Sequence, residues 1–103
     1  MRTPRVVLVV EDDITALYAM LELLRDAGYE CTGAAAYDAA RQLLTLRPYD
    51  LLITDVRLGS FNGLHLIRQC HGEFPGMAFI VVTAAPDSMT EMEARRYGAM
   101  CVA

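Results

Sequence analysis

The chain has 103 residues, of which 54% are hydrophobic, and a formal net charge of −4 at pH 7. This composition excludes a disordered chain, and the length suffices for one buried core but not for two, so we predict a single domain over residues 1–103. Its apolar runs are too short to cross a membrane and no secretory signal is visible, so we expect neither membrane insertion nor export.

The positive charges are all arginines, and only Arg95 and Arg96 are adjacent. Because this scatter forms no basic stripe, we do not expect direct nucleic-acid binding by this segment. The cysteines, Cys31, Cys70 and Cys101, are odd in number, widely spaced and each in an apolar segment. That pattern favours small buried hydrophobic residues in the reducing cytoplasm over a disulfide or a metal site.

Strand and helix patterns alternate from the first apolar run onward. Residues 5–10 (RVVLVV) are a β-branched run typical of a strand covered on both faces. Apolar residues at helical spacing follow, with Asp13 placed to cap that helix and Gly28 placed to end it. A second strand is predicted over 29–34, and a second helix over 38–46, where a proline follows.

The second half of the chain repeats this alternation. A short apolar strand, 51–54, stops at Asp55. The later predicted elements are a helix over 64–71 closed by Gly72 and Pro75, a strand over 78–83, a helix over 87–97 and a fifth strand from Met100. Alternating strands and helices with short connections specify an α/β doubly wound fold around a parallel sheet.

Polar residues stand where the predicted strands end. The first strand runs into Glu11 and Asp12, the third stops at Asp55, and the fourth ends at Thr83. Because parallel strands deliver their carboxyl ends to one crevice, we expect these residues to meet there. Gathered carboxylates repel one another, and three of them without a nearby His favour Mg²⁺ over zinc. A metal-held carboxylate can attack a phosphoryl group, which makes Asp55 the candidate nucleophile.

The sequence resembles the receiver domain of a two-component response regulator. The motifs that carry the resemblance are VVEDD at 9–13, LLITDVRLG at 51–59, FNGL at 61–64, VVTA at 81–84 and YGA at 97–99. Each motif is weak alone, but together they match the family in order and spacing. The resemblance implies a flavodoxin-like five-stranded sheet of order 2-1-3-4-5 and a cytoplasmic phosphorelay function.

The resemblance also implies a role for each residue of the crevice. Asp55 corresponds to the phosphoacceptor, which takes a phosphoryl group from a sensor histidine kinase, a phosphotransfer protein or a small phosphodonor. Asp12 corresponds to the direct Mg²⁺ ligand, Glu11 to its water-mediated neighbour, and the backbone carbonyl of Arg57 completes the shell. Thr83 corresponds to the switch hydroxyl. Such a domain is a signalling module that performs its own phosphorylation and slow dephosphorylation, and is only in that sense an enzyme.

Three departures from the family pattern carry expectations of their own. The family places a Lys shortly beyond the position of Ala103, so we expect this chain to lack that cation and the fifth helix, and to be phosphorylated slowly. Val102 replaces the switch aromatic, and an aliphatic side chain cannot swing a ring between two positions. Gly59 stands where the family commonly has Pro, which predicts a freer loop.

A sheet face without a fifth helix would be partly bare. An exposed apolar patch of that kind predicts association between copies of the chain, as a homodimer or by exchange of elements. In the last helix, Met89 and Met92 lie among charged residues and form a thin apolar stripe. The stripe favours a weakly held helix over a partner surface.

Other readings of the same residues are less well supported. A degenerate receiver that acts only as a protein-interaction module stays open, although Asp55 and Thr83 are both present. A flavin or nucleotide binder needs a phosphate-cradling loop after the first strand, where this chain reads EDDIT and would repel anions. A phosphatase of the haloacid dehalogenase type needs an acid two residues after the nucleophile, at the position of Arg57.

Overall fold

Five parallel strands form the central sheet of the computed structural model, which describes residues 5–84 and 87–103. The strands are β1 (Val6–Val10), β2 (Glu30–Ala34), β3 (Leu51–Asp55), β4 (Ala78–Val82) and β5 (Ala99–Val102). The helices are α1 (Ile14–Asp26), α2 (Tyr37–Leu46), α3 (Gly63–Glu73) and α4 (Ser88–Arg96). The strand order is β2-β1-β3-β4-β5 with every pairing parallel, which confirms the predicted flavodoxin-like sheet.

The β-branched run of β1 lies at the centre of the core. Its side chains alternate between two hydrophobic layers, because successive residues of a strand point to opposite faces. Leu8 and Val10 pack in the layer that contains α2 and α3, whereas Val7 and Val9 pack against α1. All four are fully buried, so the strand that leads into Glu11 is held firmly from both sides.

Helix ends follow the sequence signals with one exception. Asp13 caps α1 by accepting a hydrogen bond from the amide of Ala16, and Gly28 follows that helix with a φ of 96°. The prediction that Gly72 closes α3 is wrong, since the helix continues to Glu73. A glycine in a helix interior costs only about 1 kcal/mol, and here Pro75 ends the helix by disfavouring helical geometry at the residue before it.

The three cysteines are free; Cys31 and Cys70 are buried, as the sequence pattern predicted, whereas Cys101 is only partly buried. Across residues 5–84 and 87–103, no helix combines the length and the apolar character that a membrane span requires. The predicted single domain over residues 1–103 includes residues 1–4, 85 and 86, which lie outside the described residues.

Candidate functional site

Three carboxylates converge at the carboxyl edge of β1 and β3. The two strands are in register from Val7 opposite Leu51 to Val10 opposite Thr54, so the residues that follow emerge side by side. One carboxylate oxygen each from Glu11, Asp12 and Asp55 lies within 4.8 Å of the other two. Glu11, Asp12 and Asp55 therefore lie together at the edge of the sheet where the sequence predicted that they would meet.

The three acids differ in their exposure to water. Glu11 is buried, with 9% of its surface accessible, whereas Asp55 is half-buried and Asp12 is exposed. Burial raises the pKa of the Glu11 carboxyl to about 7, and a hydrogen bond with Asp55 and repulsion from both aspartates act in the same direction. The amide of Asp13, which donates to Glu11 Oε1 at 3.1 Å, opposes the shift. Near neutral pH, binding of a proton or a cation therefore stabilises the site.

The donor set fits a hard divalent cation. Carboxylate oxygens are the ligands that Mg²⁺ prefers, and a site with only a few protein ligands leaves positions for water and substrate. Within residues 5–84 and 87–103, the two ion pairs join Arg41 to Glu73 and Arg47 to Glu30, both away from the cluster. No arginine of the described chain therefore forms an ion pair with the three acids, and their charge is left for a cation.

Asp55 opens onto a cleft of about 530 Å³ that it shares with Thr83. The cleft is also lined by Val56, Arg57, Val82, Ala84, Asp87, Thr90 and Ala103. Asp55 is paired with Val82 across β3 and β4, and the amide of Val56 donates to the Val82 carbonyl at 3.2 Å. Thr83, the next residue, is thus held at the end of the neighbouring strand and on the same cleft as Asp55.

Two other predicted positions are placed beside these residues. The amide of Arg57 donates a long hydrogen bond of 3.4 Å to Asp55 Oδ1. Val102 lies in β5 opposite Val82, and its carbonyl accepts a hydrogen bond of 2.9 Å from the amide of Thr83. Val102 is 41% exposed, so the position that the resemblance assigned to a switch ring is an aliphatic group at the surface.

Gly63 is a site residue whose role the sequence pattern did not reveal. A Cβ at this position would lie 1.9 Å from the backbone oxygen of Asp55 and 2.7 Å from Thr54 Oγ1. Only glycine therefore allows the start of α3 to approach the backbone of Asp55 this closely. The motif FNGL places a glycine directly after Asn62, which caps α3. That spacing was the available signal, but it indicates a turn and not a close approach.

Gly59, for which the sequence predicted a freer loop, lies next to the acidic cluster. Its φ is 62°, and its amide donates a hydrogen bond of 3.1 Å to Asp12 Oδ2. The freer loop stays a prediction, and the structure adds that this amide links the loop to the acidic cluster. Proline at this position would have neither the amide hydrogen nor access to a positive φ.

Comparisons with known proteins agree on one family. The family model described as the response regulator receiver domain matches residues 7–102. The alginate biosynthesis transcriptional regulatory protein AlgB of Pseudomonas aeruginosa is 33% identical over 94 residues, which are 91% of this chain and 21% of that protein. The chain thus spans about a fifth of the length of the curated relatives it matches.

Solved structures agree in fold. A response regulator receiver protein from Pseudomonas putida is 28% identical and superposes with a TM-score of 0.88, covering 99% of this chain and 86% of that one. The response regulator protein TrrA from Thermotoga maritima, in complex with Mg²⁺–BeF, is 22% identical with a TM-score of 0.85, covering 96% of this chain and 86% of that one. The second likeness supports the fold alone.

Proposed function

Since the chain belongs to the response regulator receiver domain family, we propose that it takes part in phosphorelay signalling by accepting a phosphoryl group on Asp55 in a Mg²⁺-dependent step. The observation that carries this proposal is the convergence of Glu11, Asp12 and Asp55, whose oxygens lie within 4.8 Å of one another at the end of two buried strands. Without a cation, the like charges of such a cluster repel one another and destabilise the site, and a bound cation would offset that repulsion.

The proposed chemistry assigns separate tasks to the acids. A carboxylate oxygen of Asp55 attacks the phosphorus atom, the bond between phosphorus and the donor breaks, and the donor leaves with that electron pair. Glu11, Asp12, Asp55 itself and the backbone carbonyl of Arg57 would hold Mg²⁺. When bound, the ion neutralises the charge that develops on the transferring oxygens. Asp55 is suited to the attack because it is half-buried on an open cleft and therefore reachable.

Thr83 is the proposed switch residue. It lines the cleft with Asp55, which supports a role in which the Thr83 hydroxyl donates to a phosphoryl oxygen once that group is attached. Its amide is bonded to the carbonyl of Val102, which joins the strand end to β5. Because Val102 carries no ring, we propose that the response to phosphorylation proceeds through α4, which follows Thr83 in the chain and borders this cleft.

The proposed partners follow from the same site. The phosphodonor is a cytoplasmic sensor histidine kinase or a phosphotransfer protein that presents its phosphohistidine to the cleft. Downstream, the phosphorylated chain acts on an output domain or a separate partner. Copies of the chain associate through the face of the sheet that α1 partly covers, on which Met100 and Val102 of β5 are 64% and 41% exposed. Light scattering over a concentration series tests that association, and a constant monomer mass would contradict it.

Beryllofluoride, a phosphoryl mimic, provides the test of the proposed site. Titration of the chain with Mg²⁺ and beryllofluoride, followed by thermal denaturation and ¹⁹F NMR, should show a stabilised complex for the natural sequence. Asp55→Asn should abolish that response. The matched control is Asp50→Asn, because Asp50 lies at the opposite end of the same strand, where it accepts a hydrogen bond from the amide of Val6.

Two results would overturn the proposal. An equal response of the natural chain and Asp55→Asn would place the ligand elsewhere. No response of the natural chain at any Mg²⁺ concentration would favour the alternative function, a degenerate receiver that serves only as a protein-interaction module.

A further inference from the structure

We propose that Gly59 is a positioning residue for the cation, because its backbone amide holds the carboxylate of Asp12 toward the other two acids. This inference rests on the proposed function, since it concerns the same site. The direct observation is the hydrogen bond of 3.1 Å from the Gly59 amide to Asp12 Oδ2, which crosses 47 positions of sequence. Asp12 is an exposed side chain that would otherwise rotate in solvent.

The backbone conformation explains why glycine stands at this position. The φ of 62° lies in the left-handed region, which a residue with a Cβ adopts only at an energetic cost. No heavy atom lies within 4 Å of a Cβ built at Gly59, so space for a side chain is available. The position therefore restricts the residue by the direction of its amide and not by steric space. Only a residue that has an amide hydrogen and tolerates a positive φ satisfies this requirement.

The loop that carries Gly59 is anchored on both sides of the amide. Leu58 is 3% accessible. On the two sides of the loop, Leu58 pairs with Phe61 and Arg57 pairs with Asn62 in a short antiparallel ladder. The ring of Phe61 stacks on Tyr37 of α2 at a centroid distance of 4.7 Å. These contacts fix the loop independently of Asp12, so the amide is already directed when the carboxylate meets it.

A second set of contacts extends the anchor to α3. The hydroxyl of Tyr37 donates to Gln69 Oε1, so the residue under Phe61 is itself held by a neighbouring helix. A fixed donor lowers the entropy that an exposed carboxylate loses on binding an ion. A typical intramolecular hydrogen bond corresponds to roughly a three- to tenfold change in an equilibrium constant, and the exposure of Asp12 to water keeps this bond in that range although its acceptor is charged.

The test compares two substitutions at Gly59 in the 103-residue chain. Gly59→Pro removes the amide hydrogen and excludes the positive φ, whereas Gly59→Asn keeps the amide and tolerates that φ. Isothermal titration with Mg²⁺ alone should give a dissociation constant roughly three- to tenfold higher for Gly59→Pro and within about twofold of the natural value for Gly59→Asn. An unchanged dissociation constant for Gly59→Pro would overturn the inference.

Gly98→Ala controls for backbone strain. Gly98 has a comparable φ of 71° and open space at its Cβ, but it precedes the amino end of β5, at the opposite edge of the sheet. This variant should lower the melting temperature while its affinity for Mg²⁺ stays within about twofold of the natural value. If Gly98→Ala lost as much affinity for Mg²⁺ as Gly59→Pro, backbone strain alone would explain the effect at Gly59, and the inference would be wrong.

Amide exchange separates this inference from the proposed function. The Gly59 amide of the natural chain should be protected from hydrogen exchange without metal, and Asp12→Ala should remove that protection. Protection that is absent from the natural chain would overturn the inference even if Gly59→Pro does not fold. Failure of the natural chain to bind Mg²⁺ would instead refute the proposed function while leaving the Gly59–Asp12 contact measurable.

Discussion

Replacing Glu11 by glutamine should stabilise the metal-free chain at neutral pH. The substitution keeps the shape of the side chain and removes the charge that burial disfavours. Burial, the hydrogen bond with Asp55 and the neighbouring charges raise the pKa of Glu11 from 4.5 to about 7 in the folded state. A shift of that size corresponds to roughly 3 kcal/mol between the two protonation states. Because Asp12 is exposed and water screens part of this effect, we expect a gain of about 2 kcal/mol for Glu11→Gln.

The sign of the pH dependence follows from proton binding. Between pH 4.5 and about 7, the folded chain holds a proton on Glu11 that the unfolded chain has released. The free energy of unfolding of the natural chain therefore falls as pH rises through this window and levels off above it. Glu11→Gln lacks this titration, so its advantage should be small near pH 4.5 and largest above pH 7.

Urea denaturation at a series of pH values, with a chelator present, measures this difference. Glu22→Gln serves as the control, because it makes the same substitution at an exposed position of α1, outside the acidic cluster. Added Mg²⁺ should stabilise the natural chain more than the variant above pH 7 and so narrow the gap between them. A variant that is no more stable than the natural chain above pH 7, or whose advantage does not change with pH, would refute the reasoning.

Other substitutions and one modification test the frame around the site. Gly63→Ala should destabilise the chain by about 2 kcal/mol in urea denaturation because its Cβ would collide with the backbone of Asp55, whereas the helix-interior control Gly72→Ala should stabilise it by about 0.5–1 kcal/mol; equal effects would contradict the close approach. Asp13→Ala should cost about 1 kcal/mol through loss of the α1 cap, and an unchanged midpoint would count against the cap. In the native chain, Cys101 should be alkylated by iodoacetamide well before Cys70, whose thiol is buried with its pKa raised to about 11, and mass spectrometry should show this order; early loss of Cys70 would contradict it.

The architecture could be predicted because each strand has a local signature. The run Val6–Val10 is fully apolar and β-branched at every position except Leu8, and such a run occurs where both faces of a strand are covered. The sequence also predicted the position of the acidic cluster, because residues that follow parallel strands collect at one edge. Both inferences use only the periodicity of apolar residues and the positions at which apolar runs end. Each of these depends on residues that are neighbours in the sequence.

The close contacts of the site could not be predicted in the same way. Gly63 touches Asp55 and Gly59 binds Asp12 only after the strands have paired and α3 has docked. A glycine in a sequence indicates freedom of the backbone, which is equally compatible with a mobile loop and with a tight contact. For Gly59 the sequence pattern favoured mobility, and nothing in it indicated that Phe61 would stack on Tyr37, which is distant in sequence.

The division between core and site explains how the chain supports an unfavourable cluster. β1 is fully buried from Val7 to Val10, and the hydrophobic stabilisation of such a strand exceeds the cost of one buried carboxylate at its end. The unfavourable charge at Glu11 is therefore local, since it changes the affinity of the site for protons and cations without requiring a change in the sheet. A weaker strand would relax by exposing Glu11 to water, and the site would then lose the strained arrangement of acids that favours a cation.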